Sequence, residues 1–347
     1  MSDKYVAYVG CYTNDTSKGI HMYDMDVEKG HLTHRNIIDI DNPSYITFSN
    51  SGKFLYSICD SGVSAYAILD DGNLEIMNTI SINGMRGCHI SMTKNDKFLV
   101  VSGYHDGKIT VLYVNDDGSL GYIADEVFHK GLGSIAERNF RPHVNWSTFT
   151  PDDEMLCVCD LGIDQIKIYE FNHANGKLKL YDIIRTQQES APRQMTFSAD
   201  GKFAYVVCEL KNYINVYSYD NTKKERFEFI QNIFTVRRDH KSNSAASHFI
   251  FTNDGNNAIC SNAGDNTVTM YKVDKKTGFL NSLSSLPISG DYPKYINLFP
   301  DDKHLMSMNQ EGNSITIFTV NYEKGLIVMN GHPMEISHPN NMIIKKL

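Results

Sequence analysis

The sequence of 347 residues lacks the marks of membrane and long-helix proteins. No run approaches the roughly 20 apolar residues that a membrane-spanning helix needs. The N-terminus has no basic start followed by an apolar stretch, which a secretion signal would require. No segment shows the periodicity of a long helix. These absences predict a soluble, cytoplasmic protein built from strands, with no membrane partner.

Positive charge is also scarce, because 33 Lys and Arg stand against 41 Asp and Glu, a net charge of −8. Binding to nucleic-acid phosphates requires clustered Lys and Arg, so we expect no nucleic-acid partner. The seven cysteines are an odd number and mostly lie in apolar segments, which predicts a reducing compartment. Cys157 and Cys159 have CxC spacing without a nearby His, so we expect no metal or other cofactor.

One segment recurs along the chain. It reads TFSADGKFAYVVCELKNYINVYSY at 196–219, and its relatives begin at Thr47, Ser91, Thr148, Ile250 and Leu298. Each copy has the pattern of strand, polar turn, strand, short loop and strand. The polar turns are centred on Gly52, Asp96, Asp153, Gly201, Gly255 and Asp302. They are 44 to 57 residues apart, a spacing typical of propeller blades rather than of helical solenoids.

A second turn follows each copy, as in VEKGHL, LDDGNLE, NDDGSLG, HANGKLK, KKTGFLN and YEKGLIV, with a degenerate version at 220–226. Its glycine permits the positive φ of a tight hairpin between the third and fourth strands of a repeat. Counting these turns gives seven repeats. The first repeat lacks its inner strand, and HPNNMIIKK at 338–346 resembles the inner strand NPSYITFS at 42–49.

The sequence therefore predicts an all-β fold, a seven-bladed β-propeller of four-stranded antiparallel blades in one domain over residues 1–347. The C-terminal strand is expected to join the N-terminal blade and so to remove exposed sheet edges. Runs that are apolar at successive positions, such as Phe203 to Cys208, predict strands covered on both faces.

Polar residues recur where the inner strands begin and where the second strands end. In a propeller these two places share a rim, and charged or imidazole groups there are costly to bury without partners. We therefore expect a polar pocket. The first set contains Ser44, Tyr45, His89, His143, Asn145, Arg193, Gln194, His248 and Lys294, and the second contains Asp60, Tyr104, His105, Asp160, Glu209, Asn262 and Asn309 to Glu311.

Several blocks resemble one known family. PHVNW at 142–146 and DLGIDQIKIY at 160–169 are similar to PHxH and DLGxDxxxxY of the lactonase family of seven-bladed propellers, and APRQMTFSADGKFAYVVCEL at 191–210 is similar to its PRH, PDGKFAYV and EL blocks. This family includes propeller-type 6-phosphogluconolactonases and fungal carboxymuconate lactonizing enzymes. The chain departs from the family's pattern at three positions: Asn145 and Gln194 replace histidines, and Ala263 replaces an arginine.

The resemblance implies that Glu209, Arg193 and His143 are the catalytic residues of a lactonase. Hydrolysis needs a base to activate water, here Glu209 or His143, and a cation at the oxyanion, here Arg193. A lactone is reactive enough that no metal is required. The residues expected to bind the small-molecule substrate are Tyr45, His89, Asn145, Gln194, His248 and Lys294. A substrate phosphate would find positive charge at Lys294, Arg141 or Arg86.

The default substrate by resemblance is 6-phosphogluconolactone or a similar sugar-acid lactone. A cycloisomerase that closes an unsaturated diacid could use the same cation and base. A catalytically silent propeller that binds a ligand or a protein is the third reading, which the three departures favour. Under that reading, Arg193 and Glu209 would form a structural ion pair.

Overall fold

The computed structural model describes residues 3–134, 139–237, 239 and 243–347. The regular structure of these residues consists of 29 β-strands. Within the same residues, no helix has the length and apolar character to cross a membrane. The chain divides into two compact units. The first comprises Met1–Met25, Leu32–Ala191 and Asn340–Leu347, and the second comprises Asp26–His31 and Pro192–Pro339.

The first unit contains four sheets of four strands. Its strands are β1 (Tyr5–Cys11), β2 (Gly19–Asp26), β3 (His31–Asp39), β4 (Ile46–Phe48), β5 (Phe54–Cys59), β6 (Gly62–Ile68), β7 (Leu74–Ile80), β8 (His89–Met92), β9 (Phe98–Gly103), β10 (Lys108–Val114), β11 (Leu120–Phe128), β12 (Val144–Phe149), β13 (Met155–Asp160), β14 (Gln165–Asn172), β15 (Lys177–Arg185) and β29 (Pro339–Lys346). The sheet orders are β29-β1-β2-β3, β4-β5-β6-β7, β8-β9-β10-β11 and β12-β13-β14-β15. The strand at the C-terminus therefore joins the N-terminal sheet, as predicted.

The second unit contains three sheets. Its strands are β16 (Pro192–Phe197), β17 (Phe203–Cys208), β18 (Tyr213–Tyr219), β19 (Phe227–Phe234), β20 (Ala245–Phe251), β21 (Asn257–Ala263), β22 (Thr267–Val273), β23 (Leu280–Pro287), β24 (Pro293–Leu298), β25 (His304–Asn309), β26 (Ser314–Asn321), β27 (Leu326–Met329) and β28 (Met334–Glu335). The orders are β16-β17-β18-β19, β20-β21-β22-β23 and β24-β25-β26-β27, with β28 also paired to β26.

Seven sheets of successive antiparallel strands confirm the predicted seven-bladed β-propeller. The last sheet differs from a four-stranded blade in one respect. Its outer strand is split, because β27 pairs with Phe318–Asn321 and β28 pairs with Ser314 and Ile315 of the same neighbour. The prediction of a single domain stays a prediction.

The predicted turns have the backbone conformation that their residues favour. The six turns between the first and second strands have φ values between 58° and 72°, including the non-glycine residues Asp96, Asp153 and Asp302. Asp and Asn tolerate this left-handed region better than other side chains do. Gly30, in the second kind of turn, has φ 59°. A Cβ there would lie 2.4 Å from the His304 ring, so glycine is also required by space.

The second strands form the centre of each sheet. Every residue of Phe203–Cys208 is buried, as is every residue of β9, β13 and β25, which confirms that both faces are covered. The hydrophobic clusters join neighbouring sheets within each unit. One of them packs Val6 and Tyr8 of β1 against Ile46 and Leu55 of the following sheet.

Candidate active site

Four of the inner strands that carry candidate residues begin with β-bulges. In β12, β16, β20 and β24 the register with the second strand shifts by skipping residues near the start of the strand. The skipped residues are Asn145, Arg193, Ser247 with His248, and Lys294. A bulge re-aims its side chain out of the regular alternation of the strand. Four of the predicted site residues therefore lie where the backbone departs from regular pairing.

Arg193 and Glu209 form an ion pair in the second unit. The guanidinium Nη1 of Arg193 donates a short hydrogen bond to Glu209 Oε2, and its Nε donates to the Ser247 carbonyl oxygen at 3.0 Å. The Glu209 side chain is 2% exposed, whereas that of Arg193 is 18% exposed. Two bonds from one guanidinium fix its plane, so the cation is held in place with part of its surface toward solvent.

His248 lies on the next inner strand of the same unit. Its ring stacks on the Tyr295 ring with centroids 3.7 Å apart and planes 25° apart. Burial, and then the positive charge of Arg193, lower the pKa of His248 to about 3. The imidazole is therefore neutral near pH 7 and does not act there as a charged group. The sequence did not single out Tyr295, although it directly follows the candidate Lys294.

Gln194 has its amide engaged within the protein. Its Oε1 accepts a hydrogen bond from Phe249 N–H at 2.8 Å, and its Nε2 donates to the Phe249 carbonyl at 2.9 Å. In the first unit, Asn341 of β29 makes the same two bonds to the backbone of Ile46. We call this arrangement an amide clasp. The geometry favours a structural role for Gln194, which holds two inner strands in register, over direct contact with a substrate.

The other two departures from the family's pattern lie in different surroundings. Ala263 is buried and pairs with Ala245 of the inner strand β20. Asn145 is the partly buried bulge residue of β12. Lys294, also partly buried, has the corresponding position in β24 of the second unit.

His143 lies just before β12 in the first unit and is buried. Its Nδ1 is 2.7 Å from the Tyr104 carbonyl oxygen, which can only accept, so Nδ1 carries a proton and Nε2 is the basic nitrogen. The ring stacks on Tyr104 at 4.3 Å. A Cβ on Gly162 would lie 1.8 Å from the Arg141 carbonyl oxygen and 2.9 Å from the His143 ring, which explains the glycine of DLGID.

Asp160 of the same motif holds the backbone of His143 in place. Its Oδ1 accepts hydrogen bonds from the His143 N–H at 2.8 Å and the Gly162 N–H at 3.1 Å. Its Oδ2 is 2.7 Å from His129 Nδ1, and His129 Nε2 is 3.1 Å from the Tyr169 hydroxyl. Both Asp160 and His129 have fully buried side chains. Asp160 therefore shapes the backbone at His143, and His129 is a partner that no motif in the sequence indicated.

Tyr45, His89 and Trp146 form a cluster of rings in the first unit. His89 stacks on Trp146 with centroids 3.7 Å apart, and Tyr45 lies 4.5 Å from His89. His89 is buried, whereas Tyr45 and Trp146 are partly exposed. The predicted residues thus assemble within each unit: Arg193 with Glu209 beside His248, and Tyr45 with His89. In the described ranges, no three His, Cys, Asp or Glu side chains group as a metal site.

The comparison with known families decides the assignment. The model of the family described as lactonase, 7-bladed beta-propeller, matches residues 6–344. The chain belongs to this lactonase family. A 6-phosphogluconolactonase of Bacillus subtilis is 30% identical over 342 residues, covering 97% of each chain. A 6-phosphogluconolactonase of Formosa agariphila is 27% identical over 92% of this chain and 93% of its own.

Solved structures agree on the fold. A crystal structure from Bacteroides fragilis has a TM-score of 0.91 at 28% identity, covering 99% of this chain and 98% of its own. A periplasmic gluconolactonase of Pseudomonas aeruginosa has a TM-score of 0.93 at 23% identity, covering 98% and 99%. Membership in the lactonase family confirms the predictions of the family and of a lactone-hydrolysing enzyme that acts on small molecules.

Proposed function

We propose that the protein hydrolyses a phosphorylated sugar-acid lactone of the 6-phosphogluconolactone type, with Arg193 and Glu209 as its catalytic pair. The observation that carries this proposal is the ion pair at the β16 bulge. The Glu209 carboxylate is 2% exposed and pairs with the Arg193 guanidinium, which is partly exposed. Such a pair presents a fixed positive charge to a substrate and holds a carboxylate beside it.

In the proposed reaction, Glu209 takes a proton from water while the water oxygen adds to the lactone carbonyl carbon. The carbonyl oxygen gains negative charge, which the Arg193 guanidinium stabilises. Collapse of this intermediate breaks the ring C–O bond, and the ring oxygen leaves as a hydroxyl after it receives the proton. The product acid then ionises and releases one proton to solvent. His143 is the second candidate for the base, because its Nε2 is the basic nitrogen.

The proposed substrate class has two supports. The relative from Bacillus subtilis is a 6-phosphogluconolactonase. Lys294 in the second unit is the second residue of β24 and lies at a bulge, as Arg193 does in β16, and it is our candidate for contact with the phosphate. Arg86 is a weaker candidate, because its guanidinium pairs with Asp60 at 2.7 Å.

We propose the cytoplasm as the compartment. All seven cysteines are free thiols, and six of them are buried. Buried thiols without disulfide bonds are typical of proteins in reducing surroundings.

The test is proton release from 6-phosphogluconolactone and from gluconolactone, measured above the spontaneous rate. We expect turnover by the wild type, a loss of about 100- to 1,000-fold in kcat/KM for Arg193→Met, and about 100-fold or more for Glu209→Gln. Lys294→Met is expected to raise KM for the phosphorylated lactone only. Arg35→Met is the matched control, because Arg35 is 22% exposed on the outer strand β3 and pairs with Asp24 of the neighbouring strand β2.

The outcomes separate the roles. If Glu209 is the base, Glu209→Gln also removes the acidic limb of the pH–rate profile. If His143→Asn removes that limb instead, the base is His143. A folded wild type with no lactone turnover contradicts the proposal, and a change in muconate absorbance would then identify a cycloisomerase. Equal rates for wild type, Arg193→Met and Glu209→Gln would refute the residue assignment.

A further inference from the structure

The carbonyl that orients the Arg193 side chain belongs to a bulge of two residues in the second unit. Ser247 and His248 of β20 together lie opposite one residue of β21, Ser261. The His248 N–H donates to the Ser261 hydroxyl at 3.2 Å. The Ser247 carbonyl accepts from Arg193 Nε at 3.0 Å. Because a bulge re-aims the groups of its strand, the position of this carbonyl depends on what holds the bulge.

Strand β24 of the same unit holds this bulge through the imidazole of His248. The imidazole stacks on the Tyr295 ring, with centroids 3.7 Å apart and planes at 25°. A hydrogen bond with the Ile296 backbone also engages it. His248 is buried, so its ring cannot reorient without displacing close-packed neighbours. The position of the Ser247 carbonyl is therefore coupled to β24 through Tyr295.

The stack of His248 on Tyr295 acts by position and not by charge. Burial keeps the imidazole neutral near pH 7, so it adds no second positive charge beside Arg193. The Arg193 guanidinium is planar, and its Nε and Nη1 donate in fixed directions to Ser247 and Glu209. A shift of the Ser247 carbonyl therefore turns the guanidinium plane relative to the Glu209 carboxylate.

We propose that Tyr295 is a positioning residue for the Arg193 guanidinium. The Tyr295 ring holds His248, the bulge holds the Ser247 carbonyl, and this carbonyl sets the plane of the guanidinium. The kinetic effect of Tyr295 rests on the proposed function, because Arg193 is the cation of that reaction. The orientation of Arg193 is a property of the folded protein, so it can be measured without turnover.

The first measurement follows exchange of the Arg193 Nε–H with water, by NMR of protein that is isotope-labelled at arginine Nε. Arg193→Met identifies the signal by its loss. The hydrogen bond to the Ser247 carbonyl slows exchange, so we expect Tyr295→Leu to speed it by about fivefold to tenfold. Tyr295→Phe keeps the stacked ring and should leave exchange within about twofold of the wild type.

The second measurement is turnover of 6-phosphogluconolactone. We expect Tyr295→Leu to lower kcat by about tenfold with KM within about twofold, because the substrate still binds while the cation is misaligned. Tyr295→Phe should retain kcat. Tyr219→Leu is the matched control. Tyr219 is a partly buried tyrosine of the same unit, and its ring packs on Phe197, the last residue of β16, at the end of the strand away from Arg193.

His248→Gln removes the same stack from its other side, and it replaces Tyr295→Leu should that variant not fold. We expect it to speed Arg193 Nε–H exchange by a similar factor. The double variant should exchange no faster than either single variant, because both changes break one contact.

Unchanged Nε–H exchange in Tyr295→Leu and His248→Gln overturns the proposal, whatever the turnover. A rise in KM with unchanged kcat and exchange also overturns it, because Tyr295 would then contact the substrate. An equal effect of Tyr219→Leu on exchange and kcat would indicate general destabilisation and contradict the proposal. Faster exchange in Tyr295→Leu, in a protein whose wild type turns over no lactone, supports the positioning of Arg193 and removes the proposed function.

Discussion

The three histidines at the strand starts share one packing arrangement. His89, His143 and His248 each stack on an aromatic ring, with centroids between 3.7 and 4.3 Å apart. Stacking and burial restrict each imidazole to one orientation. Arg193 differs from them, because it is held by two bonds and is still partly exposed, which supports its proposed role beside the developing charge.

His248 makes the stability of the fold sensitive to acid. Its pKa of about 3 in the folded protein is below the ordinary value of about 6.5 expected in the unfolded chain. Above pH 6.5 both states are neutral, and stability falls as the pH drops from 6.5 toward 3 because the unfolded chain binds the proton. We expect His248→Gln to reduce the loss of unfolding free energy between pH 7 and pH 5 by about 1–2 kcal/mol. Urea unfolding at both pH values measures it.

The control for this prediction is His332→Gln, which changes an exposed histidine. It should leave the difference between pH 7 and pH 5 as in the wild type. A pH dependence that is the same in His248→Gln and wild type would show that His248 does not contribute to acid sensitivity.

The residue types at the site could be predicted from the sequence, whereas most of their contacts could not. Arg193 and Glu209 were expected to meet because they occupy the start of one strand and the end of the next, which pair directly. The Arg193–Ser247 bond and the His89–Trp146 stack join different sheets, and no local pattern encodes them. Gln194 illustrates the limit: its residue type suggested a substrate contact, and only the structure shows its amide clasp with Phe249.

At the scale of elements, neighbouring sheets are joined by tyrosines of the second strands. Tyr8, Tyr56 and Tyr205 donate hydroxyl hydrogen bonds to the carbonyls of Gly72, Gly118 and Gly278, at 2.5, 3.0 and 2.8 Å. Each acceptor is the glycine of the second turn in the following sheet. The repeated GKFLY and GKFAY segments thus specify a bond between sheets as well as a strand.

We expect Tyr205→Phe to destabilise the protein by about 1–2 kcal/mol, because the buried Gly278 carbonyl would lose its donor. The midpoint of urea unfolding measures the change. Tyr122→Phe is the control, since Tyr122 is 58% exposed on an outer strand and stacks on Tyr113. An equal effect of the two substitutions would argue against the hydrogen bond as the cause.

The turns and the inner and second strands of the sheets could be predicted better than the outer strands. Asp96 and Gly201 mark their turns because few other residues accept a positive φ. The split of the last outer strand into β27 and β28 carries no such signal, because outer strands are partly exposed and their pattern is weak. The bulges could not be predicted from the sequence either, since a bulge depends on how two strands pair rather than on the sequence of either strand alone.

At the scale of the whole molecule, β29 connects the two ends of the sequence. Lys346 Nζ lies 2.6 Å from Asp3 Oδ2, and the Leu347 N–H donates to the Lys4 carbonyl at 2.9 Å. Asn341 adds its amide clasp to Ile46 of β4. The strand therefore completes one sheet and binds the next, all within the first unit.

Removal of residues 339–347 is expected to lower the free energy of unfolding by about 5 kcal/mol or more, because a buried strand and its backbone bonds are lost. Circular dichroism melting and gel filtration measure the loss of cooperativity and any aggregation through the open edge. Removal of Leu347 alone is the control. It deletes one hydrogen bond at a partly exposed end and should cost about 1 kcal/mol or less. Unchanged melting of the longer truncation would contradict the role of β29.

The pairing of β29 with β1 has a consequence during biosynthesis. β1 is translated long before β29, because 343 positions separate Asp3 from Lys346 in the sequence. Until β29 leaves the ribosome, the first blade of the nascent protein has one edge without its strand. We expect chaperones and proteases to bind that edge in ribosome-bound chains that lack β29.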